Sequence, residues 1–226
     1  NHDLGPVIWS YEDLLILVPM LGRAHTIGPL LESVQKSTPG AHVLWLCTDG
    51  DAEVLADLHG RKADLMTFRP RTSGDYAHKI NAGIRATIEP LILMGACDIA
   101  PQPGWFEAAT AKLSGRVQVV GTNDKGNPRT AKGHSTHTLM TREYAQLPTI
   151  NGEPGPLYEG YSHEYVDDEL VGTARQRGVY AHAADAVITH LHPMWGKADW
   201  DDSYRAQQER MRASAGRFRA RRVLWT

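Results

Sequence analysis

Three polar residues that can bind phosphate or a metal ion stand where short apolar runs of the chain end. They are Arg23, Asp49 and Asp98. An arginine can neutralise phosphate, and an aspartate can accept hydrogen bonds from a ribose or hold a divalent cation between two phosphates. Taken singly, each is better explained as a turn residue or helix cap. Their shared position at strand ends favours a nucleotide site.

The elements that would position these residues follow from the hydrophobic pattern. Strands are predicted at 14–18, 43–47, 64–68 and 91–94, with helices at about 26–38, 51–59 and 75–87 between them. The order β-α-β-α-β-α-β predicts a mostly parallel sheet with helices on both faces and ligands beyond the carboxyl ends of the strands.

The second half of the chain is less regular. It predicts helices at 104–113, from 142 and at 164–177, and strands at 117–121, 135–140 and 187–190. Polar or Gly/Pro-rich segments at 123–133 and 148–160 are expected to be loops. We expect one domain over 1–200 and an appended basic helix over 201–226.

Composition excludes several classes of protein. The chain has 226 residues, a net charge of −2 and 42% hydrophobic residues, which disfavours disorder, and no apolar run is long enough to cross a membrane. No secretory signal is visible. Cys47 and Cys97 are too few for a disulfide framework, so we expect a cytoplasmic protein.

Charge is unevenly distributed along the chain. The segment from Arg205 to the end has seven arginines and one acidic residue, a net charge of +6, so the preceding chain carries −8. A solvated arginine-rich helix explains this somewhat better than a polyanionic partner, and both alternatives stay open.

Spaced motifs then indicate a family. The strings VPMLGR at 18–23, LCTDGD at 46–51, GDYAHKINAGI at 74–84, LMGACD at 93–98 and PGW at 103–105 resemble family 2-like glycosyltransferases of the GT-A fold. The resemblance covers 14–197. GTND at 121–124, HSTH at 134–137, VDDEL at 166–170 and HLHP at 190–193 are similar to a branch found in actinobacterial phages and their hosts.

This resemblance implies a nucleoside-diphosphate sugar donor, expected to be UDP-linked, and a divalent ion, Mn²⁺ or Mg²⁺. The metal would be held by Asp98, His190 and His192. The implied donor-binding residues are Pro19, Met20, Gly22, Arg23, Asp49, Asp75, Lys79, Asn81, Cys97 and Asp98. Cys97 stands where the branch has an aspartate, and Ala96 where the general motif has a carboxylate, so one oxygen ligand is missing.

The resemblance places the catalytic base at Asp167, with Asp168 as the alternative. An inverting transfer needs a carboxylate that takes the proton of the acceptor hydroxyl. Acidic residues in the first turn also stabilise a helix dipole, but three in succession exceed what a cap requires.

Other polar residues are expected on the acceptor side. They are Asn123, Asp124, His134, His137, Tyr161, His163 and Trp195. The phage branch suggests two acceptors, a hydroxymethylated pyrimidine in DNA or a virion protein. The alternative function is a catalytically weak or inactive module that binds sugar or nucleic acid. A nucleotidyltransferase is disfavoured, since no Gly-rich phosphate loop follows the first strand.

Overall fold

The computed structural model describes residues 7–226, apart from the side chains of residues 203 and 208. Its first half is a parallel sheet in the order β3-β2-β1-β4. The strands are β1 (Leu14–Pro19), β2 (His42–Thr48), β3 (Leu65–Phe68) and β4 (Leu91–Met94), connected by helices α1 (Ile27–Ser37), α2 (Ala52–Gly60) and α3 (Asp75–Ala86).

The continuous apolar run of β1 is explained by burial on both faces. Leu14, Ile16 and Val18 pack in a cluster that includes α1, while Leu15 and Leu17 pack on the opposite face in a cluster that includes α3. All five side chains are fully buried. A strand covered by helices on both sides needs no polar alternation.

The second half adds four strands and makes the sheet mixed. These are β5 (Ile99–Pro101), β6 (Val119–Asn123), β7 (Thr138–Thr141) and β8 (Tyr180–His190), with helices α4 (Trp105–Thr110), α5 (Arg142–Ala145) and α6 (Val166–Gln176). The order of the eight strands is β3-β2-β1-β4-β7-β6-β8-β5, and four of the seven pairings are parallel.

The strands β6 and β7 begin two and three residues later than predicted, and the two largest differences from the sequence-based prediction are in β8 and β5. β8 begins at Tyr180 rather than at residue 187. The pattern did not predict its first half, because that half is rich in alanine and polar residues and has no apolar run. β5 has only three residues, too few for a periodic signal. It runs antiparallel to β8 with Ile99 opposite His190, and Leu191 N donates to Asp98 O at 2.8 Å. This pairing brings Asp98 beside His190.

The C-terminal segment forms helices α7 (Asp202–Arg205) and α8 (Gln207–Arg222). Helix α8 lies against α6 and the loop before it. Phe218 stacks on Tyr165 with ring centroids 4.3 Å apart, and Arg221 makes a buried ion pair with Glu169 of α6. No helix within residues 7–226 combines the length and apolar character needed to span a membrane.

The arginines of the tail have two kinds of surroundings. Arg210 pairs with Glu164, Arg217 donates to the Gly160 carbonyl, and Arg221 pairs with Glu169 and Glu153. The side chains of Arg212, Arg219 and Arg222 are exposed. Part of the tail's charge therefore neutralises the acidic body, and α8 is only partly the solvated helix that the sequence favoured.

Candidate active site

A cleft of about 540 Å³ opens at the carboxyl ends of β1 and β4 and extends to the start of α6 and to α7. Because β1 and β4 are parallel neighbours, the residues that follow them meet at one edge of the sheet. The predicted site residues that line the cleft are Pro19, Met20, Arg23, Asp75, Cys97, Asp98, His137, His163, Asp167, Asp168, His190, His192 and Trp195.

The other predicted site residues do not line this cleft in the part of the chain that the structure describes. They are Gly22, Asp49, Lys79, Asn81, Asn123, Asp124, His134 and Tyr161. Gly22 N donates to Asp51 Oδ2 at 2.6 Å at the end of β1. Asp49 is exposed beyond β2, where its N donates to Phe68 O at 2.7 Å.

Lys79 and Asn81 of α3 have structural contacts instead of a place in the cleft. Lys79 is fully buried, and its Nζ donates to Met20 O and Thr48 Oγ1, each at 2.7 Å, and lies 2.8 Å from Asp75. The ammonium thus ties α3 to the ends of β1 and β2. Asn81 is buried and donates to Leu157 O at 2.8 Å, so it fixes the 148–160 loop. Donor binding by these two residues is not supported by their positions.

Three predicted acceptor-side residues are also buried supports. Asn123 Nδ2 donates to Ala184 O at 3.1 Å, and Asp124 Oδ1 accepts from the backbone N of Gly126 at 2.9 Å and of Asn127 at 2.8 Å. Tyr161 donates to Glu169 Oε2 at 2.7 Å from a fully buried position. These three side chains do not line the cleft; they stabilise the segments behind its walls.

Asp98 is the most heavily contacted carboxylate in the cleft. Its Oδ2 accepts from Tyr204 Oη at 2.6 Å and lies 3.4 Å from His190 Nε2 and 3.5 Å from Arg23 Nη1. Burial raises the pKa of Asp98, but the hydrogen bonds from His190 and Tyr204 and the charge of His190 outweigh it and hold that pKa well below its usual range. Asp98 is therefore ionised at neutral pH.

Arg23 links the cleft to the C-terminal segment. Its backbone is left-handed, with φ 64°, and its guanidinium donates to Asp201 through Nε at 2.7 Å and Nη2 at 3.0 Å. The same guanidinium lies over the Tyr204 ring, 3.6 Å from the centroid. An arginine suited to binding phosphate is thus held by a carboxylate of the tail.

Three histidines stand in a row beside Asp98. The ring centroids of His137 and His190 are 4.9 Å apart, and those of His190 and His192 are 5.1 Å apart. Burial and the charge of His190 lower the pKa of His137 and of His192 to about 4. His192 Nδ1 accepts from Met194 N at 3.1 Å, whereas both buried nitrogens of His137 have no hydrogen-bond partner among the described residues.

The positions of Asp98 and His190 fit a divalent cation. A carboxylate oxygen and an imidazole nitrogen lie 3.4 Å apart there, and the unpartnered ring of His137 is adjacent. Burial raises the pKa of the Cys97 thiol to about 11, so Cys97 is protonated and does not replace the missing oxygen ligand.

Within residues 7–226, the ligand-type atoms of three side chains come within 4.8 Å of one another in one place, at His134, Asp167 and Asp168. The predicted set of Asp98, His190 and His192 is less compact. His134 Nε2 lies 2.9 Å from Asp167 Oδ2, and Arg129 forms an ion pair with Asp168. Contacts between protein side chains therefore account for the close approach of His134, Asp167 and Asp168 at the start of α6.

Among the residues in or beside the cleft that were not predicted from the sequence, four make side-chain contacts that shape the site. Tyr204 and Asp201 belong to the tail, which has no motif, and Arg129 belongs to a polar loop. Tyr76 donates to Gly95 O at 2.9 Å and lines the wall between α3 and β4. Each of these contacts joins residues that are far apart along the chain, so local patterns do not reveal them.

Sequence comparison matched no protein family and no curated protein. Structural comparison found similar solved structures, among them two glycosyltransferases. Glucosyl-3-phosphoglycerate synthase of Mycobacterium tuberculosis, in complex with Mn²⁺, UDP-glucose and phosphoglyceric acid, has 15% identity and a TM-score of 0.57 over 79% of this chain and 71% of that chain. The same enzyme has also been solved with Mg²⁺ and UDP.

A mannosyltransferase of Pyrobaculum calidifontis, in complex with GDP-mannose and Mn²⁺, has 16% identity and a TM-score of 0.61 over 92% of this chain and 63% of that chain. At such identities the similarity establishes the fold. The predicted α/β class and GT-A fold are confirmed: the chain has an eight-stranded mixed sheet of the kind found in GT-A glycosyltransferases.

Proposed function

We propose that this protein is a glycosyltransferase that moves a sugar from a nucleoside-diphosphate sugar to an acceptor hydroxyl. The observation that carries the proposal is that one cleft of about 540 Å³ is lined both by Arg23, Asp98 and His190 and by Asp167. The first group suits a diphosphate and its counterion, and the carboxylate of Asp167 suits proton transfer. The structural neighbours bind UDP-glucose and GDP-mannose, which supports this class of donor.

Asp98 and His190 would hold the divalent ion, Mn²⁺ or Mg²⁺, together with donor phosphate oxygens. When bound, such an ion neutralises charge on the leaving diphosphate. Arg23 would add a positive charge on the same side of the cleft, at the place where its guanidinium now meets Asp201. The donor is expected to be UDP-linked, carrying a hexose or pentose.

Asp167 is proposed as the base of an inverting transfer. Its carboxylate takes the proton of the acceptor hydroxyl while the acceptor oxygen forms a bond to the anomeric carbon. The bond between that carbon and the diphosphate oxygen breaks, and its electron pair leaves with the nucleoside diphosphate. Arg129 holds Asp168, which makes Asp168 the weaker candidate.

The acceptor is proposed to be a phage macromolecule in the host cytoplasm, either DNA with hydroxymethylated pyrimidines or a virion protein. The tail supports DNA only through its exposed arginines, Arg212, Arg219 and Arg222. Deleting the tail would expose Glu169 without its partner Arg221, so charge reversal is the sharper test. Replacing Arg212 and Arg219 by Glu should weaken DNA binding and reduce its salt dependence; unchanged binding would favour the protein acceptor.

The experiment that tests the function is nucleoside-diphosphate release from UDP-glucose and from GDP-mannose with Mn²⁺. Asp167→Asn should lower turnover by about 10²- to 10⁴-fold while donor binding measured by calorimetry is retained. Asp98→Asn should weaken Mn²⁺ binding. Binding without turnover for every donor and acceptor would favour the alternative of a binding module, which the contacts of Tyr204 and Arg23 with Asp98 also suit.

A further inference from the structure

We infer that His134 is a positioning residue that orients Asp167 and keeps it ionised as the base; this inference rests on the proposed function. His134 Nε2 lies 2.9 Å from Asp167 Oδ2. The His134 side chain is 7% exposed and stands behind the cleft, whereas Asp167 is 24% exposed and lines it. The ring therefore contacts the carboxylate from the protein side and has no place in acceptor binding.

The position of His134 is fixed by the same helix that carries Asp167. Gly133 has φ 95°, and its carbonyl accepts from Arg175 Nη2 of α6 at 2.6 Å and from Tyr180 Oη of β8 at 2.7 Å. His134 N also donates to Arg129 O at 3.0 Å. Because these contacts lock the backbone before the ring, the ring holds Oδ2 of Asp167 at a set place relative to α6.

The segment that carries Arg129 and His134 contacts the adjacent carboxylates of Asp167 and Asp168 in different ways. Arg129 contacts both oxygens of Asp168, through Nη2 to Oδ1 and through Nη1 to Oδ2 at 3.4 Å. His134 contacts a single oxygen of Asp167. An acceptor hydroxyl needs a carboxylate oxygen that is not engaged by a fixed cation, so this difference assigns the base to Asp167 and a structural ion pair to Asp168.

The electrostatics agree with this assignment. Burial raises the pKa of Asp167, but the hydrogen bond and charge of His134 outweigh it, so that pKa lies below its ordinary value. Burial and the charge of Asp167 raise the pKa of Asp168. The other groups that interact electrostatically with Asp167 are Arg129, Tyr76, His137 and His163. Because its pKa is lowered, Asp167 is ionised near neutral pH, as a base must be before it takes the proton of the acceptor hydroxyl.

The test uses His134→Ala, which removes the donor, and His134→Gln, whose amide nitrogen can replace Nε2. With UDP-glucose or GDP-mannose and water or a glycosyl acceptor, His134→Ala should lower kcat by about 10- to 100-fold with the donor KM within about twofold of the parent. His134→Gln should recover part of the loss. His182→Gln is the matched control, since His182 is a partly buried histidine on β8 outside the cleft.

A second measurement does not depend on turnover. In protein with ¹³C-labelled aspartate carboxyls, the resonance of Asp167, assigned with Asp167→Asn, should titrate at higher pH in His134→Ala than in the parent. The acid limb of kcat should move in the same direction, because loss of the hydrogen bond destabilises the ionised form. A purely structural role would leave both unchanged.

The outcomes distinguish the proposed function, with Asp167 as the base, from the proposed role of His134. If Asp167→Asn is inactive but His134→Ala keeps the parent's kcat and Asp167 titration, the role of His134 is overturned and the proposed function stands. If Asp167→Asn keeps full turnover, the base assignment fails and the role of His134 fails with it. If His134→Ala does not fold, as judged by circular dichroism, parent-like titration of Asp167 in His134→Asn, whose shorter amide does not reach Oδ2, overturns the inference.

Discussion

The phenol of Tyr204 donates a 2.6 Å hydrogen bond to Asp98 Oδ2, and this contact joins the C-terminal segment to the end of the central sheet. The neighbouring Asp201 accepts hydrogen bonds from the Arg23 guanidinium, through Nε at 2.7 Å and Nη2 at 3.0 Å. Two groups of the proposed donor site are therefore engaged by the chain's own tail. Ligands that use Asp98 or Arg23 must compete with these contacts.

Removal of the Tyr204 hydroxyl should strengthen metal binding at Asp98. A hydrogen bond to a charged group is worth about 1.5–3 kcal/mol, so Tyr204→Phe should lower the Kd for Mn²⁺ by about tenfold or more. The measurement is Mn²⁺ titration followed by electron paramagnetic resonance. Tyr180→Phe, which loses a hydroxyl bound to Gly133 O, is the control. Equal binding by Tyr204→Phe would show that the hydroxyl does not compete with the metal, and weaker binding would show that it supports the metal site.

Stability should depend on pH through the buried histidines. His137 and His192 have pKa values of about 4 in the folded protein, against about 6.5 when unfolded. The unfolded chain therefore binds more protons between these values, and the free energy of unfolding rises with pH across this window. Lowering the pH from 7 to 5 should cost about 1–2 kcal/mol for each histidine.

Urea denaturation in EDTA measures this pH effect. His137→Gln removes one titrating ring, so its free energy of unfolding should change less between pH 7 and pH 5 than that of the parent. His59→Gln, at an exposed site on α2, is the control and should keep the parent's dependence. Identical pH dependence in the parent and His137→Gln would contradict the lowered pKa of His137.

The ion pair between Arg221 and Glu169 should make α8 essential for stability. Arg221 Nε lies 2.8 Å from Glu169 Oε2, and the side chains are 9% and 4% exposed. Arg221→Ala leaves a buried carboxylate without its partner and should cost about 3–5 kcal/mol in urea denaturation. Arg222→Ala, on the exposed side of the helix, should cost less than about 0.5 kcal/mol. Similar costs for the two variants would show that the pair is not effectively buried.

The glycine before α3 should tolerate no side chain. Gly74 has φ 70°, and a Cβ there would overlap the carbonyl of Glu159. Gly22 has φ 67°, and a Cβ added to it would meet no atom within 4 Å, so it isolates the cost of the left-handed backbone. Gly22→Ala should cost about 1 kcal/mol and Gly74→Ala clearly more, measured by thermal unfolding. Equal losses of stability in the two variants would show that the 159–161 segment moves at little cost to make room for the added Cβ.

Much of the parallel half of the fold was predictable because its signals are local. The apolar runs of β1 and β4 and the helical period of α1 and α3 reflect burial on two faces or one, which sequence spacing records directly. The strand-end residues Arg23 and Asp98 followed from that order. Lys79 was predicted as a donor ligand, and spacing along α3 does not show that its ammonium contacts Met20 O and Thr48 Oγ1 outside the cleft.

The surroundings of the proposed catalytic groups depended on contacts far apart in the chain. The order of strands and helices predicted a mostly parallel α/β sheet, and the resemblance of the spaced motifs to family 2-like glycosyltransferases indicated a GT-A fold and the acids of α6. Only the folded chain pairs Asp167 with His134, Asp168 with Arg129 and Asp98 with Tyr204. Such pairs are set by how helices and loops dock on the sheet, and docking depends on packing over the whole molecule rather than on any one segment.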